Sequence, residues 1–576
     1  MPVHNNDIVE KLNKVADLLD IKGENQFRIR AYRSAAQTIS GLSQSVSDMI
    51  DEGKDVSNLP NVGSSIADKI KEIVDTGSLE QLEKLEKKMP EELVDLMTIP
   101  NLGPKKVQTL YEELDISNKD DLEKAAQDGK IQGIEGFGEK TEEKILDELE
   151  AAKKGCGKER IKLYVAEEIT EPLLDYIKNI KGVQKVDVAG SYRRRKETVG
   201  DIDILVVCND SEKVMDKFVD YEDVTKVISK GETRSSIQLR SGLQVDLRAM
   251  AKKSYGSAMV YFTGSKAHNI EIRKMANDKD LKINEYGVFK NEDEHVAGKT
   301  EEEVYEQIGL PFINPELREN RGEIEAAQKD KLPRLVKLED IKGDLQSHSK
   351  YSDGKFEIEE MAEAARDKGY EYLAMTDHSK RVTMAKGLDE KKLAKQIEHI
   401  DKLNEKWKNF RILKSCEVDI LKDGSLDLDD EILKELDIVI CSVHYDTNLS
   451  KEKQTRRVLK AMENPHFNIF AHPTGRKINE RRPYEIDIKK VLKAAKDNGC
   501  FLECNAQPDR LDLTDVNCKM AKEMGVKIAI STDAHTKNDL DKMRFGIGQA
   551  RRGWLEKSDV LNTESWSSLK KTIKRS

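Results

Sequence analysis

No run of this 576-residue chain is apolar for long enough to span a bilayer, and its first residues enter an amphipathic pattern directly instead of forming a secretory leader. Membrane-embedded and exported classes are therefore not expected. The seven cysteines, Cys156, Cys208, Cys416, Cys441, Cys500, Cys504 and Cys518, are odd in number and scattered without paired zinc-ribbon spacing. Such usage fits a reducing, cytoplasmic compartment. Positive charge is not in surplus either: the formal net charge is -10, with 36% of residues charged. No global basic field announces a polyanion partner. Net acidity does not forbid one, because nucleic-acid proteins work through local basic patches and backbone amides, and carboxylate-rich metal sites lower the total.

At about 150 residues per domain, the length predicts roughly four units. The most informative stretch is 189–207, where Gly190-Ser191 and Arg193-Arg194-Arg195 precede Asp201-Ile202-Asp203. Residues 202–207 are apolar and β-branched, which predicts a strand, and its period of two places Asp201 and Asp203 on one face. Asp246, in the strand-like run 242–247, supplies a third acid from a neighbouring strand. Three crowded carboxylates repel unless cations neutralise them, and magnesium favours a few carboxylates plus substrate phosphates. Two such ions about 3.5–4 Å apart activate an attacking hydroxyl and stabilise a departing pyrophosphate. The pattern predicts phosphoryl transfer on a nucleotide; a strand bearing two solvated acids is the plain alternative.

Upstream, three segments repeat an apolar-x-Gly turn before an amphipathic stretch: Leu59-Pro60-Asn61-Val62-Gly63, Ile99-Pro100-Asn101-Leu102-Gly103 and Ile134-Glu135-Gly136-Phe137-Gly138. Apolar residues follow at helical spacing: Ile66, Ile70 and Ile73, then Val107 and Leu110, then Ile145 and Leu149. The segments resemble helix-hairpin-helix units, in which glycine lets a tight turn present backbone amides to a DNA phosphate without reading sequence. One such turn is only a helix connection. Three in a row predict nucleic-acid binding through Gly63, Gly103 and Gly138. Glu139 and Glu142 make the third a looser match, since an anion site prefers neutral or basic neighbours.

The last third of the chain concentrates histidines beside acids and small residues. The motifs are Gln346-Ser347-His348 with Ser352-Asp353-Gly354, then Thr376-Asp377-His378, Ser415-Cys416-Glu417, Ser442-Val443-His444, Ala471-His472-Pro473 and Thr532-Asp533-Ala534-His535. Several follow short apolar strands, with helical patterns between them, so a barrel of alternating strands and helices is expected with its chemistry at the strand ends. Mixed imidazole and carboxylate ligands suit zinc, manganese or iron.

One further segment, Tyr261-Phe262-Thr263-Gly264-Ser265-Lys266-Ala267-His268-Asn269 with Arg273 after it, completes a set that resembles the X-family DNA polymerases of bacteria and archaea. The histidine-rich part resembles the polymerase and histidinol phosphatase (PHP) domain often fused to them. The resemblance covers nearly the whole chain. It implies a multidomain fold: an α-helical helix-hairpin-helix N-terminal region, an α+β nucleotidyltransferase palm and thumb, and a C-terminal distorted (β/α)7 PHP barrel. The expected bounds are 1–88 for a lyase-like DNA-binding domain, 89–157 for fingers, 158–252 for the palm, 253–314 for the thumb, 315–342 for a linker and 343–576 for the barrel.

The same resemblance implies catalysis by Asp201, Asp203 and Asp246 with Mg2+. Ser191, Arg194 and more weakly Arg160 would hold the triphosphate, and Tyr261, Phe262, Gly264 and Asn269 the sugar and base. Arg273 would touch the template strand. Lys266 replaces an acid found in animal members, implying a tighter grip on nucleotide before template pairing. Lys69 aligns with the lysine that removes a 5′ sugar phosphate. In the barrel, His348, Asp353, His378, Glu417, His444, His472, Asp533 and His535 map onto ligands for Mn2+ or Zn2+. Gln346 departs from the pattern, standing where the family's opening His-x-His has its first histidine. The implied activity is gap-filling synthesis on gapped or primed DNA from dNTPs, in DNA repair, by a monomer whose barrel is a 3′-5′ exonuclease or end-processing phosphoesterase. Two alternatives remain: a small-molecule phosphoesterase, and a DNA-binding scaffold of weak polymerase activity.

Overall fold

The computed structural model describes Val3 and residues 5–573, save 43–44, 91, 98, 100–101, 139–140, 147–148, 150–159 and 292–293. Pro100, Asn101, Glu139 and Cys156 thus lie outside the described residues. The chain divides into two units, 1–159 and 160–576. No helix among the described residues is long and apolar enough to cross a membrane.

The first unit is helical and holds two cores. Helices Asn5–Ile21, Gln26–Ser40 and Ser64–Thr76 close the first around Leu12, Val15, Ile29, Ile39, Ile66, Ile70 and Ile73. The three isoleucines recur at helical spacing, and the helix stops at Gly77, whose φ of 73° terminates it in the left-handed region. Leu102, Val107, Leu110, Leu122, Ile131, Phe137 and Ile145 form the second core, around helices Pro104–Leu114 and Lys119–Gln127.

The second unit begins with a five-stranded sheet in the spatial order Val183–Val188, Asp201–Cys208, Gln244–Ala249, Arg234–Leu239, Val224–Lys230. Alternation along the second strand is strict. Ile202, Ile204 and Val206 enter the core beneath helices Leu163–Lys178 and Ser211–Val219, whereas Leu205 and Val207 join the opposite cluster with Tyr255 and Met259. Asp201 and Asp203 share the parity of Leu205 and Val207, so they leave the sheet on that second face.

Helices Tyr255–Thr263, Lys266–Asn277 and Glu301–Gln307 then surround a three-stranded sheet. A Cβ added at Gly256 would fall on the backbone of Thr300. Gly256→Ala is therefore expected to destabilise the protein by about 1–3 kcal/mol through overpacking, read as a lowered thermal midpoint. Residues 315–342, expected as a linker, are instead packed. Leu317, Ile324, Ala327 and Leu335 belong to the thumb core. Arg318 is fully buried, donating to the Ile313 carbonyl at 2.8 Å and to Glu301 at 2.7 Å. The charge-rich sequence resembled a connector, but Arg318 pairs with Glu301, Glu316 with Arg551 and Arg321 with Asp515, so these charges find partners elsewhere in the fold.

Seven parallel strands follow in chain order, Gly343–Ser347, Tyr372–Met375, Arg411–Asp419, Ile438–Ser442, Ile469–Phe470, Phe501–Asn505 and Ile528–Ser531. A parallel bridge from Ser347 to Ala534 links the first strand to the last, so the sheet is a nearly closed barrel with helices outside. Ile478, Leu511 and Phe545 of the barrel sit in the same apolar core as palm residues Ile202 and Leu163. The two parts of this unit therefore share packing.

Candidate active sites

Strands Asp201–Cys208 and Gln244–Ala249 run parallel with Asp203 paired to Asp246 and Asp201 to Gln244. Neighbouring strands lie about 4.8 Å apart, so the acids of this face are close neighbours. Burial pushes the Asp203 carboxyl up to about 7, and the nearby Asp201 and Asp246 charges push the same way. Gly190 explains how the loop approaches: its φ is 66°, and a Cβ there would lie 3.0 Å from Asp203 Oδ2. Asp246 accepts from Gln244 Nε2 at 3.0 Å, Arg248 Nη2 at 3.3 Å and Arg234 Nη2 at 3.4 Å. These three partners occupy Asp246, and the oxygens of the triad are not drawn into one group within 4.8 Å as those of the barrel are, among the described residues. Mutual repulsion at Asp203, relieved by positive charge, nevertheless fits the triad to divalent cations.

The remaining palm and thumb candidates cluster around this face in different ways. Ser191 lies in the helical turn Gly190–Arg193, its carbonyl accepting from Lys196 N at 3.1 Å. Arg194 donates Nε to Glu319 at 3.0 Å and Nη1 to the Thr263 carbonyl, and Gly264 lies against the same nitrogen. Arg160 donates to Thr198 Oγ1 at 3.1 Å and feels the charge of Asp201. Tyr261 and Phe262 pack edge to face at 5.0 Å, and Arg248 caps the Phe262 ring at 4.4 Å. Asn269 donates to the Tyr261 carbonyl at 2.7 Å while its buried Oδ1 has no hydrogen-bond partner. Arg273 donates to the Asn269 carbonyl at 3.3 Å, and Lys266 is exposed. Arg248 escaped the sequence reading; the signal was its position two residues after Asp246 on one strand.

In the first unit, Gly63 and Gly103 cap helices Ser64–Thr76 and Pro104–Leu114 with φ near -80° and no side-chain cap. That backbone is open to any residue, and an added Cβ at either position meets nothing within 4 Å. Glycine here leaves the helix entrance bare of side chain, instead of permitting an unusual turn. In the third segment Gly136 uses left-handed freedom, with φ of 86°. Glu142, expected to disfavour an anion, turns inward and accepts from Ile131 N at 2.8 Å and Gln132 N at 3.0 Å. Lys69 Nζ donates to the Ser65 carbonyl and hydroxyl at 3.0 and 3.1 Å in an exposed setting, the arrangement of an ordinary helix lysine.

At the barrel, every mapped residue reaches one cluster. Glu417 is its centre: Oε2 faces His378 Nδ1 at 3.1 Å and His348 Nε2 at 3.5 Å, while Oε1 faces His472 Nε2 at 2.9 Å and His444 Nε2 at 3.5 Å. Asp533 lies 3.1 Å from His348, and Asp353 is 3.3 Å from His535 and 3.5 Å from His378. Three groups have all their ligand atoms within 4.8 Å of one another: His348, Asp353, His378 and His535; His378, Glu417 and His444; and His348, Glu417 and Asp533. Burial opposes charge on Glu417, yet His378, His444 and His472 hold it well below the usual carboxylate range. Burial lowers His378 while Glu417 and Asp353 outweigh it, raising the ring to about 9. Both nitrogens of His348, His378 Nδ1 and Glu417 Oε2 are buried without hydrogen-bond partners. Divalent cations would satisfy these atoms and replace the protons that otherwise balance the acids, so the residues fit a multinuclear metal site.

Several supporting residues surround the cluster. Asp377 accepts from Ser349 N, Ser352 N and Gln396, holding the loop between His348 and Asp353. Asp419 accepts from His444 N at 3.0 Å and its ring at 3.3 Å, orienting that imidazole. Glu503, missed in the sequence, is fully buried and accepts from His472 N at 2.6 Å. An acid inside the apolar strand Phe501–Asn505 was its signal. Gln346 lies on strand Gly343–Ser347, two residues before His348, which follows the strand's end, and its buried amide has no partner at either atom.

A metal-dependent palm joined to a PHP-type barrel, preceded by helix-hairpin-helix repeats, defines the class as that of nucleic-acid polymerases with a phosphoesterase module. Family models agree in order: a helix-hairpin-helix domain at 3–79, a SAM-like helix-hairpin-helix tandem at 93–151, the DNA polymerase beta palm at 161–269 and thumb at 258–319, and a PHP domain at 344–507. The chain belongs to the X-family DNA polymerases that carry a PHP domain, being 40% identical over 576 residues, the full length of both, to the DNA polymerase/3′-5′ exonuclease PolX of Bacillus subtilis. Its barrel region is 36% identical over 217 residues to a probable phosphatase of Thermoanaerobacter sp., covering 36% of this chain and 84% of that one. A probable phosphatase of Acetivibrio thermocellus is 32% identical over 189 residues, 31% of this chain and 72% of the relative.

Proposed function

We propose that this chain fills gaps in DNA during repair at the palm and processes 3′ ends at the barrel. The carrying observation is the register that pairs Asp203 with Asp246 directly beneath the Gly190–Arg193 turn. In the reaction the primer 3′-oxygen bonds to the α-phosphorus, the bond from that phosphorus to the β-bridging oxygen breaks, and pyrophosphate leaves. The hydroxyl proton passes to the Asp246 carboxylate. Magnesium bound by Asp201, Asp203 and Asp246 supplies the positive charge this step needs. Ser191, Arg194 and Arg160 bind the triphosphate, Arg194 with its guanidinium plane fixed by Glu319 and Thr263. Tyr261 and Phe262 flank the sugar, Asn269 meets the base and Arg273 the template. Gly63 and Gly103 hold backbone phosphates at helix entrances, giving sequence-tolerant, salt-sensitive binding.

At the barrel, Glu417 links neighbouring ligand groups and Asp419 and Glu503 fix His444 and His472, and the substrate of this cluster is the phosphodiester of a strand end. Manganese or zinc there supplies charge to bind phosphate and activate water. Removal of a terminal phosphate is a second reading for this site, favoured by its likeness to relatives named probable phosphatases.

One assay tests both sites. The purified chain is given a gapped duplex with a 5′-phosphate, dNTPs and magnesium or manganese, and its products are sized. Extension into the gap and, without dNTPs, shortening from the 3′ end are expected. No extension at any metal concentration would overturn the palm reading, and release of phosphate from a 3′-phosphorylated primer without shortening would favour the second reading of the barrel.

A further inference from the structure

The turn carrying Arg194 belongs to the palm, but its position is set largely from the barrel. Arg552, at the end of helix Met543–Arg552 and almost completely buried, donates Nη1 to the Arg194 carbonyl at 2.9 Å and to Glu319 Oε1 at 3.0 Å. Its Nη2 donates to Asp515 Oδ2 at 2.7 Å. Glu319 Oε1 also accepts from Arg194 Nε at 3.0 Å. One guanidinium fork thus holds Arg194 by its backbone directly and by its side chain through Glu319. Asp515 is braced in turn by Arg321 at 2.9 Å.

The flanking residues are held by the same domain. Glu197 accepts from Arg476 at 2.6 and 3.3 Å, and Glu167 pairs with both Arg195 and Arg544. Gly548 lies alongside the Arg195 side chain, within ordinary van der Waals distance of where a Cβ would stand. Arg195 itself has φ of 56°, a conformation that persists only where surroundings impose it. Burial opposes the Glu319 charge, but Arg552 and Arg194 hold its carboxyl down at about 2, so the network stays charged at neutral pH. A buried pair with both partners present is tolerable, whereas removing one leaves uncompensated charge.

We propose that Arg552 is a positioning residue for nucleotide incorporation, through which the barrel fixes the reach and orientation of Arg194 toward the triphosphate. This rests on the reading of the palm as a dNTP site. Arg552 contacts neither the carboxylate triad nor the barrel cluster in any hydrogen bond it makes. Loosening it therefore weakens nucleotide binding more than it slows the chemical step. Lysine keeps the charge but is a single point that cannot reach Arg194, Glu319 and Asp515 together.

The test uses the full chain on a gapped duplex with magnesium and a dNTP concentration series, comparing wild type, Arg552→Lys and Asp515→Asn. Arg552→Lys is expected to raise KM for dNTP about tenfold with kcat changed by less than about threefold, and to leave 3′-end shortening at the wild-type rate. Asp515→Asn, which weakens the far side of the fork, is expected to shift KM the same way by a smaller factor. KM within about twofold of wild type in both variants, or a fall in kcat at constant KM, would overturn the proposal. Should Arg552→Lys show no cooperative melting transition, the KM of Asp515→Asn decides alone. Failure of the wild type to extend at all would strike the palm reading itself, a separate outcome.

Discussion

Asp203→Asn is expected to reduce single-turnover incorporation by about a thousandfold or more, a loss of about 4 kcal/mol of transition-state stabilisation, while 3′-end shortening continues at the wild-type rate. Asparagine keeps the shape that packs against Gly190 but removes the charge that burial, with Asp201 and Asp246 beside it, disfavours enough to raise the carboxyl to about 7. An amide neither holds a hard divalent cation well nor offsets a developing negative charge. Incorporation within tenfold of wild type would mean that the phosphoryl transfer is organised elsewhere.

A second large effect is expected at the barrel. Glu417→Gln should lower 3′-end shortening by about a hundredfold or more and reduce bound metal measured by elemental analysis, with incorporation unchanged. Four imidazoles lie within 3.5 Å of its two oxygens, so its single negative charge serves more than one ligand group. Neutralising it leaves buried imidazoles without their counter-charge and divides the cluster. Full metal content in the variant would remove Glu417 from the ligand set, and unchanged shortening would place the nuclease chemistry outside the barrel.

Much of the candidate chemistry was legible because it is local. Alternation in residues 202–207 places Asp201 and Asp203 on the face away from Ile202 and Ile204, and the barrel motifs fall at strand ends where parallel strands converge. The isoleucines after Gly63 mark their helix by spacing alone. Other residues misled for equally physical reasons. Glu142 reads as an obstacle to anion binding until its carboxylate is seen capping Ile131 and Gln132. Arg318 and its neighbours read as a solvated connector until Glu301 and the Ile313 carbonyl are found around the guanidinium. Glu503 resembles an exception in an apolar strand until it meets His472.

Residue order along single strands and helices was enough to pick out the repeats, the acid motif and the histidine-rich motifs, because periodicity and short spacings are properties of a few consecutive bonds, while the family came from the resemblance those motifs carry. Folding in space settled which carboxylates face one another, that Glu417 is shared among four histidines, and that Arg552 reaches 358 positions back along the chain to hold Arg194. Those outcomes depend on register between strands and on packing between domains. Such long-range pairings are chosen by the whole core at once, and no local pattern encodes them.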